Sequence, residues 1–433
     1  MFQTLVNFFR VADIRKKIFF TLAMLLIFRI GTFIPVPGIN ASALQQQMQG
    51  GILGFLNTFN GGALKNFSVL AMGVMPYITS SIIVQLLQMD VVPKLAEWAK
   101  QGEMGRKKLN QLTRYLTIIL GLVEAFGMAF GFNQFTGAGL IENPTFATYL
   151  VIAVVLTAGT MFLMWLGEQI TVKGIGNGVS IIIFAGIVSR IPDGARQLFV
   201  QRIEGANDQL FLRLLELAGI AVAIIAIVVV VIYFQQANRK IPIQYSKRVA
   251  GAKQGGAQAT HLPLKLNSAG VIPVIFASAF IITPQTIISF FAANNTSNTI
   301  KILKDVFDYT KPIGMILYVV LIVAFTYFYA FIQVNPEKVA DNLKKQGGYI
   351  PSKRPGRETQ AYLTSVLYRL TFIGAIFLAV VAVLPTIGSV AFGLPQALAI
   401  GGTSLLIVIG VALDTTKQLE GQLVKRNYRG FIK

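Results

Sequence analysis

The chain of 433 residues contains no cysteine and a single histidine, His261. The first absence excludes disulfides, thiolate metal sites and cysteine nucleophiles; the second excludes a histidine-cluster metal centre. Charge is also scarce. Only 13% of the residues are Asp, Glu, Lys or Arg, against about 25% in ordinary soluble chains. Acidic residues are the scarcer sign, 18 against 38 Lys and Arg, giving a formal net charge of +20. Apolar side chains make up 54% of the sequence, and the mean hydropathy is +0.64. A soluble fold cannot hide that much apolar surface from water, so a soluble enzyme, a nucleic-acid binder and a disordered scaffold are poor descriptions of the whole chain. A polytopic membrane protein with basic cytoplasmic loops is the natural one.

A membrane-spanning helix needs about 20 mostly apolar residues. Ten windows meet or approach this: Ile18–Ile34, Ser68–Gln88, Leu112–Phe132, Phe146–Gln169, Gly178–Ile191, Leu212–Phe234, Ser268–Ala292, Pro312–Val334, Ala361–Leu384 and Val390–Leu413. The fifth is the weakest because it is short. The first follows a basic start and ends at Pro35-Val36-Pro37-Gly38 without a small-residue cleavage site, so it reads as a span and not a signal peptide. With the N-terminus in the cytoplasm, the connections hold 27 Lys and Arg inside and 8 outside. That asymmetry places both termini in the cytoplasm. The expected fold is therefore an all-α polytopic membrane protein of ten helices. Its middle connection divides it into an N-terminal half, 1–191, and a C-terminal half, 192–433, arranged as pseudo-symmetric inverted repeats around a central cleft.

Three connections exceed minimal loops. The first (40–67) contains the apolar stretch Ile52–Phe59, too short to span and too apolar for water, which predicts a short helix folded into the protein interior. The second (235–267) and third (335–360) are basic and, in this topology, cytoplasmic; they are large enough to be docking surfaces.

Chemistry-bearing motifs are few. Gly174-Ile175-Gly176-Asn177-Gly178 lacks the strand–turn–helix context of a dinucleotide loop, and its glycines read as a tight turn with close helix approach. His261 has no orienting carboxylate nearby in sequence, which disfavours a general base. Ionisable residues inside spans are the usual functional suspects of a membrane protein. Here they are Glu124 in the third window, Arg29, Glu168 and Asp414 nearer to ends, and Arg369 in the ninth. That is thin support for an ion-coupled secondary transporter, the competing reading. A hydrolase lacks its parts: there is no His-Glu-x-x-His motif, and no enzyme activity or cofactor is expected. What remains is an aliphatic bundle that can seal by dewetting and open by helix displacement.

Four stretches carry a family resemblance. Met72-Gly73-Val74-Met75-Pro76-Tyr77-Ile78-Thr79-Ser80-Ser81-Ile82-Ile83-Val84-Gln85 resembles the second-span signature of the SecY family, the channel subunits of Sec protein translocons. Gly174 to Ile187 is similar to the fifth-span motif. Thr260-His261-Leu262-Pro263 through Pro273 resembles the entry to the seventh, and Gly401-Gly402-Thr403-Ser404-Leu405-Leu406-Ile407 resembles the tenth. Order, spacing and length agree from end to end, most closely with the bacterial branch.

The resemblance implies an hourglass pore in the cytoplasmic (inner) membrane. It would pass unfolded preproteins outward and release transmembrane segments sideways into membrane lipid. It implies a pore ring of Ile78, Ile82, Ile183, Ile187, Ile275 and Ile407. Each of the first two pairs is four residues apart, on one helix face. It implies a plug over about 52–67, with Phe55, Phe59, Gly61, Gly62 and Leu64. Spans two and seven, with neighbours three and eight, resemble the lateral gate, where Ser80, Ser81, Gln85, Thr283 and Gln285 offer modest polarity. Arg239, Lys240, Lys247 and Arg248 in one basic loop and Lys353, Arg354 and Arg357 in the other match docking positions for the SecA ATPase or the ribosome. SecE-like and SecG-like small membrane subunits, the preprotein and its signal sequence complete the implied partners.

Overall fold

The computed structural model describes residues 11–40, 57, 59–89, 91–135, 140–141, 143–203, 210–245, 259–291, 298–308, 311–392 and 401–429. In chain order the helices are α1 (Ala12–Gly31), α2 (Met75–Leu87), α3 (Pro93–Lys100), α4 (Glu103–Phe135), α5 (Phe146–Lys173), α6 (Gly178–Ile203) and α7 (Leu210–Gln236). Strands β1 (Asn238–Tyr245) and β2 (Ala259–Lys265) follow. Then come α8 (Ile272–Phe291), α9 (Asn298–Val306), α10 (Pro312–Gln333), α11 (Pro336–Lys345), β3 (Gly348–Tyr349), α12 (Arg357–Phe392) and α13 (Gly401–Arg429).

Among the described residues six helical segments are long and apolar enough to cross a membrane: Glu103–Asn133, Phe146–Lys173, Gly178–Gln197, Phe211–Gln236, Pro312–Lys345 and Arg357–Leu384. Two apolar helices, Met75–Leu87 and Ile272–Gln285, are shorter. One buried hydrophobic cluster runs through the bundle, with members from α2, α4, α5, α6, α8, α10, α12 and α13 and from the turn segment before α2. The hydrophobic window of α7 is only 6% buried within the chain, against 56% for those of α5 and α12, so α7 lies at the periphery.

Several helix ends differ from the apolar windows for physical reasons. The second window begins at Ser68, but α2 begins at Met75. Gly73 takes φ +60°, and Pro76, which lacks an N–H, sits in the first turn. The 13 residues of α2 rise about 20 Å, less than the hydrocarbon thickness. Residues 60–74, which precede α2, are turns apart from Ser68, which bridges to Pro35. The weakest window becomes α6, 26 residues long, because the helix continues past Arg190, Pro192 and Asp193 where the apolar signal stops. The expected division after Ile191 therefore falls inside a continuous helix. Asn177 starts α6 by accepting hydrogen bonds from the N–H groups of Val179 and Ser180.

The all-α expectation is corrected by a three-stranded antiparallel sheet of order β2-β1-β3. In β1, Ile241 and Ile243 are buried while Lys240, Pro242 and Gln244 face out, the period-two pattern of a half-buried strand. The register pairs Ile241 with Leu262 and Pro242 with His261, and Gln244 pairs with Tyr349 of β3. Ile241, Leu264, Ala340, Ile350, Leu363, Val366 and Leu370 form a second, smaller core. The two basic connections thus fold together on the extended end of α12.

Candidate pore

The structure brings all six implied ring residues into the central cluster. Ile78 and Ile82 on α2 are 5% exposed, Ile183 and Ile187 on α6 are 2% and 3%, Ile275 on α8 is 5%, and Ile407 on α13 is fully buried. None lies on the lipid-facing periphery. Their polar neighbours turn back onto their own helices. Thr79 Oγ1 donates to the Met75 carbonyl (3.1 Å), Ser80 Oγ to the Pro76 carbonyl (2.7 Å) and Ser278 Oγ to the Val274 carbonyl (2.8 Å). What faces the shared interior at these positions is branched aliphatic carbon, which is stiff at χ1 and offers water no hydrogen bond.

Beside the ring lies the implied plug. Phe59 is 3% exposed and Leu64 fully buried. Phe55 lies outside the described residues. The short helix that the family resemblance implies for a plug over 52–67 is not what residues 60–67 form: they are turns. Gly61, Gly62 and Phe67 all have positive φ (64°, 89° and 40°), which a right-handed helix cannot contain. The turn is tied internally. The Gly62 N–H donates to the Asn57 carbonyl (2.7 Å), the Lys65 N–H to Asn57 Oδ1 (2.9 Å) and Asn60 Nδ2 to the Ala71 carbonyl (2.7 Å).

It is also tied to the wall. Arg29 Nη1 donates to the Gly61 carbonyl at 2.7 Å and to Ser189 Oγ on α6 at 3.3 Å, with the guanidinium 4.8 Å from the centroid of the Phe33 ring. Arg29 was legible only as an ionisable residue near the end of a span. That its guanidinium ties the turn at Gly61 to α1 and α6 is long-range geometry. The backbones approach closely at this clamp: a Cβ on Gly186 would lie 2.7 Å from the Phe59 carbonyl oxygen.

The polar residues named for the gate are divided. Ser80 is fully buried against its own helix, whereas Ser81 and Gln85 bond to each other (3.0 Å). Gln285 on α8 is 6% exposed, and its Oε1 has no partner among the described residues. Thr283 is half-buried beside Pro284, which lies inside α8 and has no N–H for the helix ladder. Helix α8 packs against α2, α4 and α10, so the elements implied for the gate are neighbours.

On the sheet side, Arg239 and Lys240 are exposed on β1, and Lys353, Arg354 and Arg357 are exposed between β3 and the start of α12. The backbone of Arg354 is fixed by its N–H to Glu358 Oε2 (3.0 Å) and by Thr359 Oγ1 to its carbonyl (2.8 Å). Lys247 and Arg248 lie outside the described residues. The Gly174–Gly178 run joins α5 to α6, with no strand before it. A Cβ on Gly178 would lie 1.8 Å from the Gly167 carbonyl oxygen, so that glycine serves close helix approach.

The SecY family model matches residues 68–416. Over all 433 residues the chain is 63% identical to the protein translocase subunit SecY of Bacillus licheniformis and to that of Bacillus subtilis, with 100% of each chain covered. The chain belongs to the SecY family. It is 55% identical to the SecY subunit of Staphylococcus carnosus, covering 99% of that protein. Its fold is similar to a solved protein conducting channel, with a TM-score of 0.66 at 21% identity over 97% of this chain and 95% of that one. It is also similar to Sec61 in a canine ribosome–channel complex from the endoplasmic reticulum, with a TM-score of 0.63 at 21% identity and the same coverage. The competing ion-coupled transporter finds no support among these SecY relatives.

Proposed function

We propose that this SecY-family chain is the pore subunit of a Sec protein translocase in the cytoplasmic membrane. It crosses ten times with both termini inside, and its two halves are inverted repeats that meet at the α6–α7 connection. The observation that carries the reading is the single buried cluster holding Ile78, Ile82, Ile183, Ile187, Ile275 and Ile407, contributed by four helices from both halves. An aliphatic constriction of that kind resists ions because wetting it is unfavourable. It also makes no fixed hydrogen bonds that a passing polypeptide would have to replace.

In this account the channel is passive and the work comes from a partner. The sheet β2-β1-β3 supports a shared docking face, because it fixes Arg239 and Lys240 in the same folded unit as Arg354 and Arg357. SecA and the ribosome are the proposed occupants. SecE-like and SecG-like helices are the proposed membrane partners, and Phe59, Gly61, Gly62 and Leu64 form the plug. Signal sequences and transmembrane segments leave between α2 and α8, flanked by α4 and α10, past Ser81, Gln85, Thr283 and Gln285.

Co-purification and reconstitution test this directly. The chain should retain a small SecE-like subunit and, with SecA and ATP, move an unfolded preprotein into sealed vesicles. Failure to move the preprotein, together with saturable uptake of a small solute, would overturn the proposal.

A further inference from the structure

Helix α9, between α8 and α10, has no part in the pore or the docking face, yet its composition is sharply two-sided. Its sequence is Asn298-Thr299-Ile300-Lys301-Ile302-Leu303-Lys304-Asp305-Val306. At 100° per residue, Ile300, Ile302, Leu303, Val306 and the following Phe307 share one side, and Lys301, Lys304 and Asp305 share the other. Ile300, Val306 and Phe307 are half-buried. Ile302 and Leu303 are 63% and 41% exposed, on a helix too polar overall to lie inside a bilayer.

The location of α9 follows from its neighbours. The basic strands precede α8 and α9 follows it, so the two lie at opposite ends of α8. The 20 residues of α8 rise about 30 Å, roughly the hydrocarbon thickness. Helix α9 therefore sits at the membrane boundary on the side away from the sheet. It is held there firmly. Asp305 pairs with Lys311, the residue that precedes α10, and the Lys311 N–H donates to the Asp308 carbonyl (3.0 Å). A Cβ on Gly314 would lie 2.0 Å from that carbonyl oxygen, so the connection rests directly on the first turn of α10. Ile313 and Ile316 on that turn are 59% and 66% exposed, so apolar side chains are uncovered on the helix that α9 packs against as well as on α9 itself.

We propose that α9 is an interfacial helix seated in the outer leaflet. Ile302 and Leu303 enter the boundary between headgroups and acyl chains, and Lys301 reaches the phosphate level. A short amphipathic helix with apolar residues on one side and lysines on the other has that affinity for anionic phospholipid surfaces. Because α9 packs on both α8 and α10, it fastens the outer ends of two proposed gate helices to the bilayer. That consequence rests on the gate reading above, and the choice of the outer leaflet on the orientation proposed there; the placement at a membrane boundary rests on neither.

The absence of native cysteine makes the test simple. Ile302→Cys, Leu303→Cys and Asn298→Cys variants would each carry an environment-sensitive fluorophore. The reconstituted complex would sit in phosphatidylethanolamine–phosphatidylglycerol vesicles with or without shallow nitroxide lipids. The expected result is blue-shifted emission at 302 and 303, with nitroxide quenching several-fold stronger than at 298. Water-like emission at 302 and 303 overturns the proposal. So does a shielded signal that nitroxide lipids leave unquenched, because protein and not lipid would then cover the face. Preprotein uptake by the unmodified complex, measured in the same vesicles, separates failure of this placement from failure of the channel reading.

Discussion

Replacing Arg29 with methionine should loosen the plug segment while leaving the bundle folded. The substitution keeps a long apolar stem and removes every donor. The native guanidinium gives one short bond to the Gly61 carbonyl (2.7 Å) and a longer one to Ser189 Oγ (3.3 Å). A hydrogen bond from a charged donor contributes about 1.5–3 kcal/mol. At about 1.4 kcal/mol per tenfold change, losing it shifts the docked-to-undocked ratio by roughly 10- to 150-fold. The turn itself should survive, because Asn57 and Asn60 hold it from within. Only the Arg29 tie to the Gly61 carbonyl and Ser189 is lost; the bonds from the Val36 N–H to the Phe67 carbonyl (3.0 Å) and from Asn66 Nδ2 to the Thr32 carbonyl (3.4 Å) remain. Single-channel recording in planar bilayers, without preprotein, reads the effect as more frequent ion-conducting events. Arg29→Lys should fall between, since lysine keeps the charge but not the planar fork. A leak equal to that of the unmodified channel, in an Arg29→Met protein that inserts normally, would refute the reasoning.

Ile82→Asn or Ile407→Asn places an amide in the aliphatic cluster and should make the waist easier to wet; export of a preprotein with a defective signal should rise, and unchanged export and conductance would count against the ring assignment. Gly73→Ala should lower thermal stability by more than about 1 kcal/mol, from the left-handed conformation alone. Its Cβ would also meet Asn60 Oδ1 at 2.0 Å and displace the Asn60–Ala71 bond, so an unchanged melting temperature in detergent would contradict the geometry. Arg354→Glu reverses an exposed charge whose backbone is fixed by Glu358 and Thr359, so SecA-driven uptake should fall while insertion stays normal; wild-type uptake would remove Arg354 from the docking face.

The sequence is most legible where hydropathy dominates. Phe146–Gln169 and Pro312–Val334 predict α5 and α10 to within a few residues, because long apolar runs have no other stable place. Legibility fails where backbone chemistry cuts across hydropathy. Gly73 and Pro76 delay α2 inside an apolar stretch, and α6 continues through Pro192 after its apolar signal ends. The sheet is hidden by charge: Arg239 and Lys240 mark the stretch as a basic connection, although Ile241 and Ile243 alternate with polar and proline positions. The ring is legible only as a resemblance, since spacing alone cannot distinguish an interior isoleucine from a lipid-facing one. The Arg29 clamp depends on contacts 32 and 160 residues away along the chain, which no local pattern encodes.

The central claim is that a translocating polypeptide passes through the isoleucine cluster. A preprotein stalled halfway, with one cysteine in the trapped segment, tests it against single-cysteine channel variants, since the chain has no native cysteine to compete. Ile78→Cys, Ile82→Cys and Ile275→Cys should form disulfides with the trapped segment. Ile225→Cys, on the 63% exposed face of peripheral α7, should not. Crosslinks at Ile225→Cys with none at the three cluster positions would contradict the account.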